Sequence, residues 1–142
     1  MTFMSDNVFF DTNLLVYAND ASEPAKKQTA RKLIKDALLN KTAVISIQVL
    51  SEFWVTVTQK IKTPLAVPVA EKEIELFEIM EIVTLDLLLF KSALKLKQMH
   101  HLSYWDSLIV AAANHADCRI LYSEDLNNGQ QISHTKIVNP FV

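Results

Sequence analysis

The chain has 142 residues, of which 50% are hydrophobic and 21% are charged, so it can bury a core and is neither a disordered segment nor a coiled coil. Its formal net charge of −2 gives no overall attraction to nucleic acid, its one glycine excludes a glycine-rich phosphate loop, and its lone cysteine, Cys118, excludes an internal disulfide and a cysteine-based zinc site. Neither a signal peptide nor an apolar stretch long enough to span a membrane is evident, so we expect a single domain, residues 1–142, in the cytoplasm.

Short apolar runs alternate with segments of helical periodicity. In chain order, the pattern predicts a strand at Val8–Phe10, a helix that opens at Leu14, a helix at Glu23–Leu39, a strand at Ala43–Ile47, a helix at Gln48–Ile61, a helix at Val69–Met80, a strand at Ile82–Leu85, a helix at Asp86–His100, a helix at Ser103–Ala116, a strand at Cys118–Ser123 and a strand at Lys136–Phe141. Strands that alternate with helices are typical of parallel βαβ units. We therefore expect an α/β protein with a central parallel sheet of four to five strands flanked by helices.

Two acids follow the first two predicted strands. Asp11 stands where the first strand gives way to a helix, and ligands of open α/β sheets bind at this carboxyl edge. Taken alone, Asp11 is equally well explained as the N-cap of that helix. Glu52 comes one helical turn after the second strand, beside the apolar stripe of its helix rather than within it. Most glutamates in such a place are solvated, so each acid needs support from the others.

Asp106 lies at the start of a very apolar helix. The segment Ser103–Asp106 fits a capping box, in which a serine cap is followed three residues later by an acid. The helix that follows, Leu108–Ala113, is apolar nearly all round and is therefore expected to be buried on most sides. An acid in its first turn lies close to the core and needs a partner. We interpret Asp106 as a functional acid, with helix capping as the alternative.

Asp125 follows the fourth predicted strand, in a segment rich in turn residues, so a structural turn is the alternative to function. Glu124 competes with it, and alternation along an extended chain would point the two side chains in opposite directions. Parallel topology brings the strand ends to one edge, where four carboxylates without a cation would repel one another. Magnesium and manganese ions prefer such oxygen ligands and often bridge carboxylates to phosphates. The sequence therefore predicts a site for a divalent cation.

Taken together, these segments resemble a PIN domain. The motifs that carry the resemblance are Asp11-Thr12-Asn13 after an apolar strand, Glu52 early in its helix, Leu102–Asp106 before an alanine-rich helix, and Leu121–Leu126. The resemblance runs from Val8 to Phe141, and within the family the chain is most similar to the VapC-type toxins of bacterial toxin–antitoxin pairs.

The resemblance implies a PIN-like fold and a metal-dependent endoribonuclease that hydrolyses RNA phosphodiester bonds. It implies that four acids surround one or two Mg²⁺ or Mn²⁺ ions: Asp11 and Asp106 as direct ligands, and Glu52 and Asp125 through water or in the second place. Asp125 is chosen over Glu124 because it keeps the Ser-x-Asp spacing of the family. Asn13 and Ser123 would support the site, a small antitoxin would neutralise the protein, and the chain would form a homodimer.

Several points stay open. Five basic side chains are candidates for holding the RNA backbone, although each taken singly is better explained as part of a solvated helix face: Lys26, Lys27, Arg31, Lys60 and Lys62. The high apolar content, with Trp54 and several phenylalanines, is a second reason to expect a homodimer. One alternative function is a degenerate PIN domain that binds RNA or a partner without cutting. Another is a haloacid-dehalogenase-like phosphatase, which requires a second aspartate where this chain has Asn13.

Overall fold

The computed structural model describes residues 5–142. Its strands are β1 (Val8–Phe10), β2 (Ala43–Ser46), β3 (Glu81–Val83), β4 (Ile120–Tyr122), β5 (Gln131–Ile132) and β6 (Thr135–Val138). Its helices are α1 (Thr12–Tyr17), α2 (Pro24–Leu39), α3 (Ile47–Val55), α4 (Val67–Phe77), α5 (Leu87–His100) and α6 (Tyr104–His115). A π-helical turn, Thr56–Lys60, continues α3.

All six strands belong to one sheet in the order β3-β2-β1-β4-β6-β5. Neighbouring strands are parallel except β5 and β6, which pair antiparallel. Strand β1 lies in the middle, and all three of its residues are buried, as is typical of a parallel strand covered on both faces. The predicted α/β fold with a central, mostly parallel sheet flanked by helices is confirmed.

The structure differs from the predicted elements chiefly near the C-terminus. The sheet has six strands rather than the four to five expected, and the additional strand, β5, was not predicted. It has two residues and turns at once into β6 through Ser133, whose φ is 53°, and a segment that short has no readable hydrophobic period. Strand β6 begins at Thr135, one residue earlier than predicted, and ends at Val138, so Asn139 to Phe141 lie outside it.

Helix α6 is the most buried helix of the fold. Seven consecutive residues, Ser107 to Ala113, are buried, which confirms the expectation drawn from its apolar sequence. The helix contacts α5 as well as strands β2 and β4, so its first turn is held at the carboxyl edge of the sheet. Within residues 5–142, none of the helices has both the length and the apolar character needed to cross a membrane.

Candidate active site

Asp11 is the buried acid at the centre of the site. It follows β1 directly, and its N–H continues the pairing with β4 by donating to the carbonyl oxygen of Tyr122 (3.0 Å). Its Oδ1 accepts the N–H of Thr12 (2.7 Å), so Asp11 is also the N-cap of α1. Its Oδ2 accepts a hydrogen bond from the Ser123 hydroxyl (2.7 Å). The capping interpretation is therefore correct, and it does not compete with a functional one.

The environment of Asp11 favours its protonated form. Only 6% of the residue is exposed, and this burial raises the pKa of Asp11 to about 6. The hydrogen bonds from Ser123 and Thr12 lower the pKa, whereas the nearby charges of Asp125 and Glu52 raise it further. The buried carboxyl group of Asp11 therefore holds a proton more tightly than a free aspartate does.

Glu52 is linked to Asp11 through Thr12. The Thr12 hydroxyl donates a 2.6 Å hydrogen bond to Glu52 Oε2, and Gln48 Nε2 donates a 3.1 Å hydrogen bond to Glu52 Oε1. Ser46 caps α3 by accepting the N–H of Val49 (3.3 Å), which starts the helix directly after β2 and brings Glu52 to the edge of the sheet. Neither the contact of Thr12 with Glu52 nor that of Gln48 was predicted from the sequence. A hydroxyl beside Asp11 was the only available signal for Thr12.

Ser123 and Asn13 organise the turn that carries the fourth acid. The Ser123 hydroxyl oxygen accepts the N–H groups of Asp125 (3.1 Å) and Leu126 (3.3 Å) while it donates to Asp11. Asn13 Nδ2 donates to Asp125 Oδ2 (3.2 Å), and Asn13 Oδ1 accepts the N–H of Glu124 (3.3 Å). One serine and one asparagine therefore fix the turn relative to Asp11.

Glu124 points away from Asp125. Its Oε1 accepts a hydrogen bond from the Tyr17 hydroxyl (2.8 Å), and its Oε2 forms an ion pair with Lys26 Nζ (2.9 Å). Lys26 lies over the ring of Tyr17 as well, 4.6 Å from its centroid. The two adjacent acids thus have different partners, and Asp125 is the one that contacts Asn13.

Asp106 lies in the first turn of α6. The Ser103 hydroxyl caps this helix by accepting the N–H of Asp106 (3.1 Å). Partial burial raises the pKa of Asp106, the hydrogen bond with Ser103 lowers it, and the charges of Asp125 and Glu52 raise it. Since Asp125 and Glu52 act on Asp106 and on Asp11 alike, the four carboxylates form one electrostatic unit, which we call the acid cluster: Asp11, Glu52, Asp106 and Asp125.

The acid cluster fits a divalent cation in the kind of donor it offers, because hard cations such as Mg²⁺ and Mn²⁺ bind carboxylate oxygens. In the described part of the chain, however, no three His, Cys, Asp or Glu side chains lie close enough together to coordinate one ion in this arrangement. Glu52 is held by Thr12 and Gln48, and Asp125 is held by Asn13. These hydrogen bonds orient the two carboxylates.

Two of the five basic residues considered for RNA binding have structural partners instead. Lys26 pairs with Glu124, and Arg31 Nε donates a 2.7 Å hydrogen bond to the carbonyl oxygen of Ala18. Lys60 and Lys62 are exposed beyond the end of α3, and Lys27 is partly exposed on α2. The side chains of these three lysines can therefore contact solvent or a ligand.

The PIN domain family model matches residues 8–129. The fold is similar to a toxin–antitoxin complex from Klebsiella pneumoniae (TM-score 0.69, 16% identity, 94% of this chain and 98% of that chain). It is also similar to VapC20 from Mycobacterium tuberculosis, described as a Sarcin-Ricin loop cleaving toxin (TM-score 0.66, 18% identity, 84% and 90%). A third similar structure is VapBC2 from Rickettsia felis bound to a DNA fragment of its promoter (TM-score 0.66, 17% identity, 92% and 96%). No curated protein matches the chain.

Proposed function

Because the chain belongs to the PIN domain family, we propose that it is a metal-dependent endoribonuclease that hydrolyses RNA phosphodiester bonds and acts as the toxin of a toxin–antitoxin pair. The observation that supports this best is the convergence of the acid cluster at the carboxyl edge of a parallel sheet, where ligands of such sheets bind. VapC20, which shares the fold, is described as cleaving the Sarcin-Ricin loop, and this supports RNA as the substrate.

In this proposal, Asp11 and Asp106 would hold Mg²⁺ or Mn²⁺ directly, and Glu52 and Asp125 would hold it through water or as second ligands. One or two such ions, when bound, would supply a nucleophile by lowering the pKa of water and would offset the charge of the phosphate. The protein's own contribution is to position the acids. Thr12 and Ser123 hold both oxygens of Asp11, and Gln48 and Asn13 hold Glu52 and Asp125.

The proposal includes two protein partners. A small antitoxin is supported by the similar structures from Klebsiella pneumoniae and Rickettsia felis, which are toxin–antitoxin complexes. A homodimer is supported by four exposed apolar side chains of α5, which we call the α5 patch: Leu87, Leu88, Phe90 and Met99. Trp54 does not contribute, since it packs against the core, and the large phenylalanines Phe53 and Phe77 are fully buried.

A PIN domain that binds RNA without cutting is the second candidate function. The observation that favours it is that no three His, Cys, Asp or Glu side chains within residues 5–142 are grouped so that they could hold a metal ion. The phosphatase has no such support: Asn13 occupies the position of its second aspartate, and this asparagine is engaged with Asp125.

The test uses purified protein, free of any antitoxin, incubated with RNA in Mg²⁺, in Mn²⁺ or in EDTA. We expect cleavage with either ion, none in EDTA, and a loss of at least about 100-fold for Asp11→Asn, because the substitution removes a direct ligand. Asp36→Asn, which neutralises an exposed acid on α2, is the matched control and should cleave like the parent. Cleavage that persists in EDTA, at a level that Asp11→Asn also shows, would contradict the proposal.

A further inference from the structure

A cavity of about 320 Å³ opens beside the acid cluster. It lies at the same edge of the sheet, because Ser46 and Val83, which end β2 and β3, both line it. Glu52 lines the cavity too, so the cavity and the acid cluster share one side chain. Most of the remaining lining is apolar: Ile47, Leu85, Leu89, Leu108 and Ala112. A cavity of this size and character can hold a small, flat, uncharged group.

The few polar groups of the cavity are mainly acceptors. Gln48 Nε2 donates to Glu52 Oε1 (3.1 Å) and to the carbonyl oxygen of Trp105 (3.2 Å), so the amide is fixed with its nitrogen engaged. No group within residues 5–142 donates a hydrogen bond to Gln48 Oε1. Among the described residues, Glu52 is the one charged residue that lines the cavity. These acceptors suit an N–H donor, and the negative charge disfavours a phosphate inside the cavity.

Trp105 provides an aromatic surface at the cavity. The residue is 62% exposed, and it directly precedes Asp106, just before the buried stretch of α6 that begins at Ser107. Its ring packs edge-to-face against Tyr104, with centroids 5.0 Å apart, which limits its freedom. Exposed aromatic rings of this kind are the usual stacking partners of unpaired bases.

We propose that this cavity binds one base of the RNA substrate, stacked on Trp105 and read by Gln48. The proposal rests on the proposed ribonuclease function, since a base held against Glu52 would bring its own phosphate to the acid cluster. Adenine, cytosine and guanine carry an exocyclic amino group that can donate to Gln48 Oε1 and Glu52. Uracil lacks an exocyclic amino group, and its one free N–H, at N3, is flanked by two carbonyl oxygens that would face these acceptors, so uracil should be disfavoured.

The binding test needs no catalysis. The nucleoside monophosphates AMP, CMP, GMP and UMP are titrated into the protein in EDTA, and tryptophan fluorescence is recorded. We expect saturable quenching by the three amino-bearing nucleotides at concentrations roughly tenfold lower than for UMP. Trp105→Phe should abolish the quenching, which would assign the signal to Trp105 rather than to Trp54.

Two variants locate the bound nucleotide. Ser51→Phe fills the cavity from an exposed position of α3 and should abolish quenching. Gln48→Leu keeps the size of the side chain but removes the acceptor, so the preference over UMP should disappear. Gln28→Leu, the same change on the exposed face of α2, is the matched control and should behave like the parent. Circular dichroism melts verify that each variant is folded.

The possible outcomes test base binding in the cavity separately from the nuclease activity. No saturable quenching, or quenching that Ser51→Phe leaves unchanged, overturns the base-binding proposal while metal-dependent cleavage stands on its own. Quenching that is retained when neither the parent nor Asp11→Asn cleaves RNA overturns the nuclease and leaves the binding site. If Ser51→Phe instead weakens capture of the antitoxin and nucleotides never quench, the cavity holds a protein side chain, which also overturns the proposal.

Discussion

Glu52 Oε2 accepts a 2.6 Å hydrogen bond from the hydroxyl of Thr12, a residue 40 positions earlier in the chain. Thr12 also donates its backbone N–H to Asp11, so one threonine connects two members of the acid cluster. Both contacts follow from the position of Thr12 as the first residue of α1, next to α3. The relative position of Asp11 and Glu52 therefore depends on a side chain that carries no charge itself.

Replacing Thr12 tests this dependence. We expect Thr12→Val, which keeps the size but removes the hydroxyl, to lower kcat/KM for RNA cleavage by about tenfold or more, as is usual when a partner of a metal ligand is lost. Thr12→Ser retains a donor and should stay close to the parent. The measurement is initial cleavage rates in Mn²⁺. If the valine and serine variants are equally active, Thr12 does not position Glu52.

Replacing Asp106 distinguishes a functional acid from a helix cap, because the two roles predict changes of opposite sign in the free energy of unfolding. Burial and the charges of Asp125 and Glu52 raise the pKa of Asp106, so its ionised form opposes folding at neutral pH. Asp106→Asn should therefore stabilise the metal-free protein, by about 0.5 kcal/mol because solvent screens this partly exposed group. The cap itself should survive, since it uses the Ser103 hydroxyl and the backbone of residue 106.

Thermal melts of the parent and of Asp106→Asn, each in EDTA and in Mn²⁺, provide the measurement. The variant should also show a smaller stabilisation by Mn²⁺, because binding to the native state shifts the folding equilibrium. A variant that is less stable in EDTA, with an undiminished effect of Mn²⁺, would assign Asp106 to helix capping alone.

The stability of the metal-free protein should fall as the pH rises through the pKa of Asp11. Burial raises this pKa from 3.8 to about 6, so the folded state binds the proton more tightly than the unfolded state does. The stabilisation is full below the unfolded pKa and is lost above about pH 6, with a total on the order of 3 kcal/mol. Mn²⁺ should flatten this profile because it favours the ionised carboxylate.

Urea unfolding in EDTA at several pH values between about 4 and 8 provides the measurement. In Asp11→Asn the corresponding part of the pH dependence should be missing, whereas Asp36→Asn should keep it. A parent protein that becomes more stable between about pH 5 and pH 7 in EDTA would contradict the raised pKa of Asp11.

If the α5 patch forms the homodimer interface, a charge placed on it should prevent dimerisation. We expect the parent to have twice the chain mass of 16.1 kDa by light scattering, and Leu88→Lys to be monomeric. Leu39→Lys is the matched control, since Leu39 at the end of α2 is 71% exposed and Leu88 is 77% exposed. A monomeric parent at micromolar concentration contradicts the homodimer. If both lysine variants remain dimeric, the interface lies elsewhere.

The sequence was sufficient for the parts of the structure that depend on local patterns. The alternation of strands and helices, the burial of Ser107–Ala113 in α6, and the caps at Asp11 and Ser103 all follow from short-range rules. The position of each acid relative to its own strand or helix can also be predicted from local patterns, because it is fixed by a few neighbouring residues.

The remaining features depend on contacts between distant segments. Nothing near Thr12 in sequence indicates that its hydroxyl meets Glu52, and the ion pair of Lys26 with Glu124 joins residues 98 positions apart. That ion pair gives Lys26 a structural partner that no local pattern indicates. The cavity beside Trp105 is formed by three helices and two strand ends, so no single segment indicates it.

The sheet order has a consequence for synthesis on the ribosome. Strand β1 needs β4 on one side, and β4 lies more than 100 residues later in the chain. Asp125 and Ser123 also come from the segment after β4. A nascent chain therefore lacks one neighbour of β1 and two of the residues around Asp11 until residues 120–125 have been made. Under the proposed function, the chain cannot complete its acid cluster, and so cannot cleave RNA, before that point of synthesis.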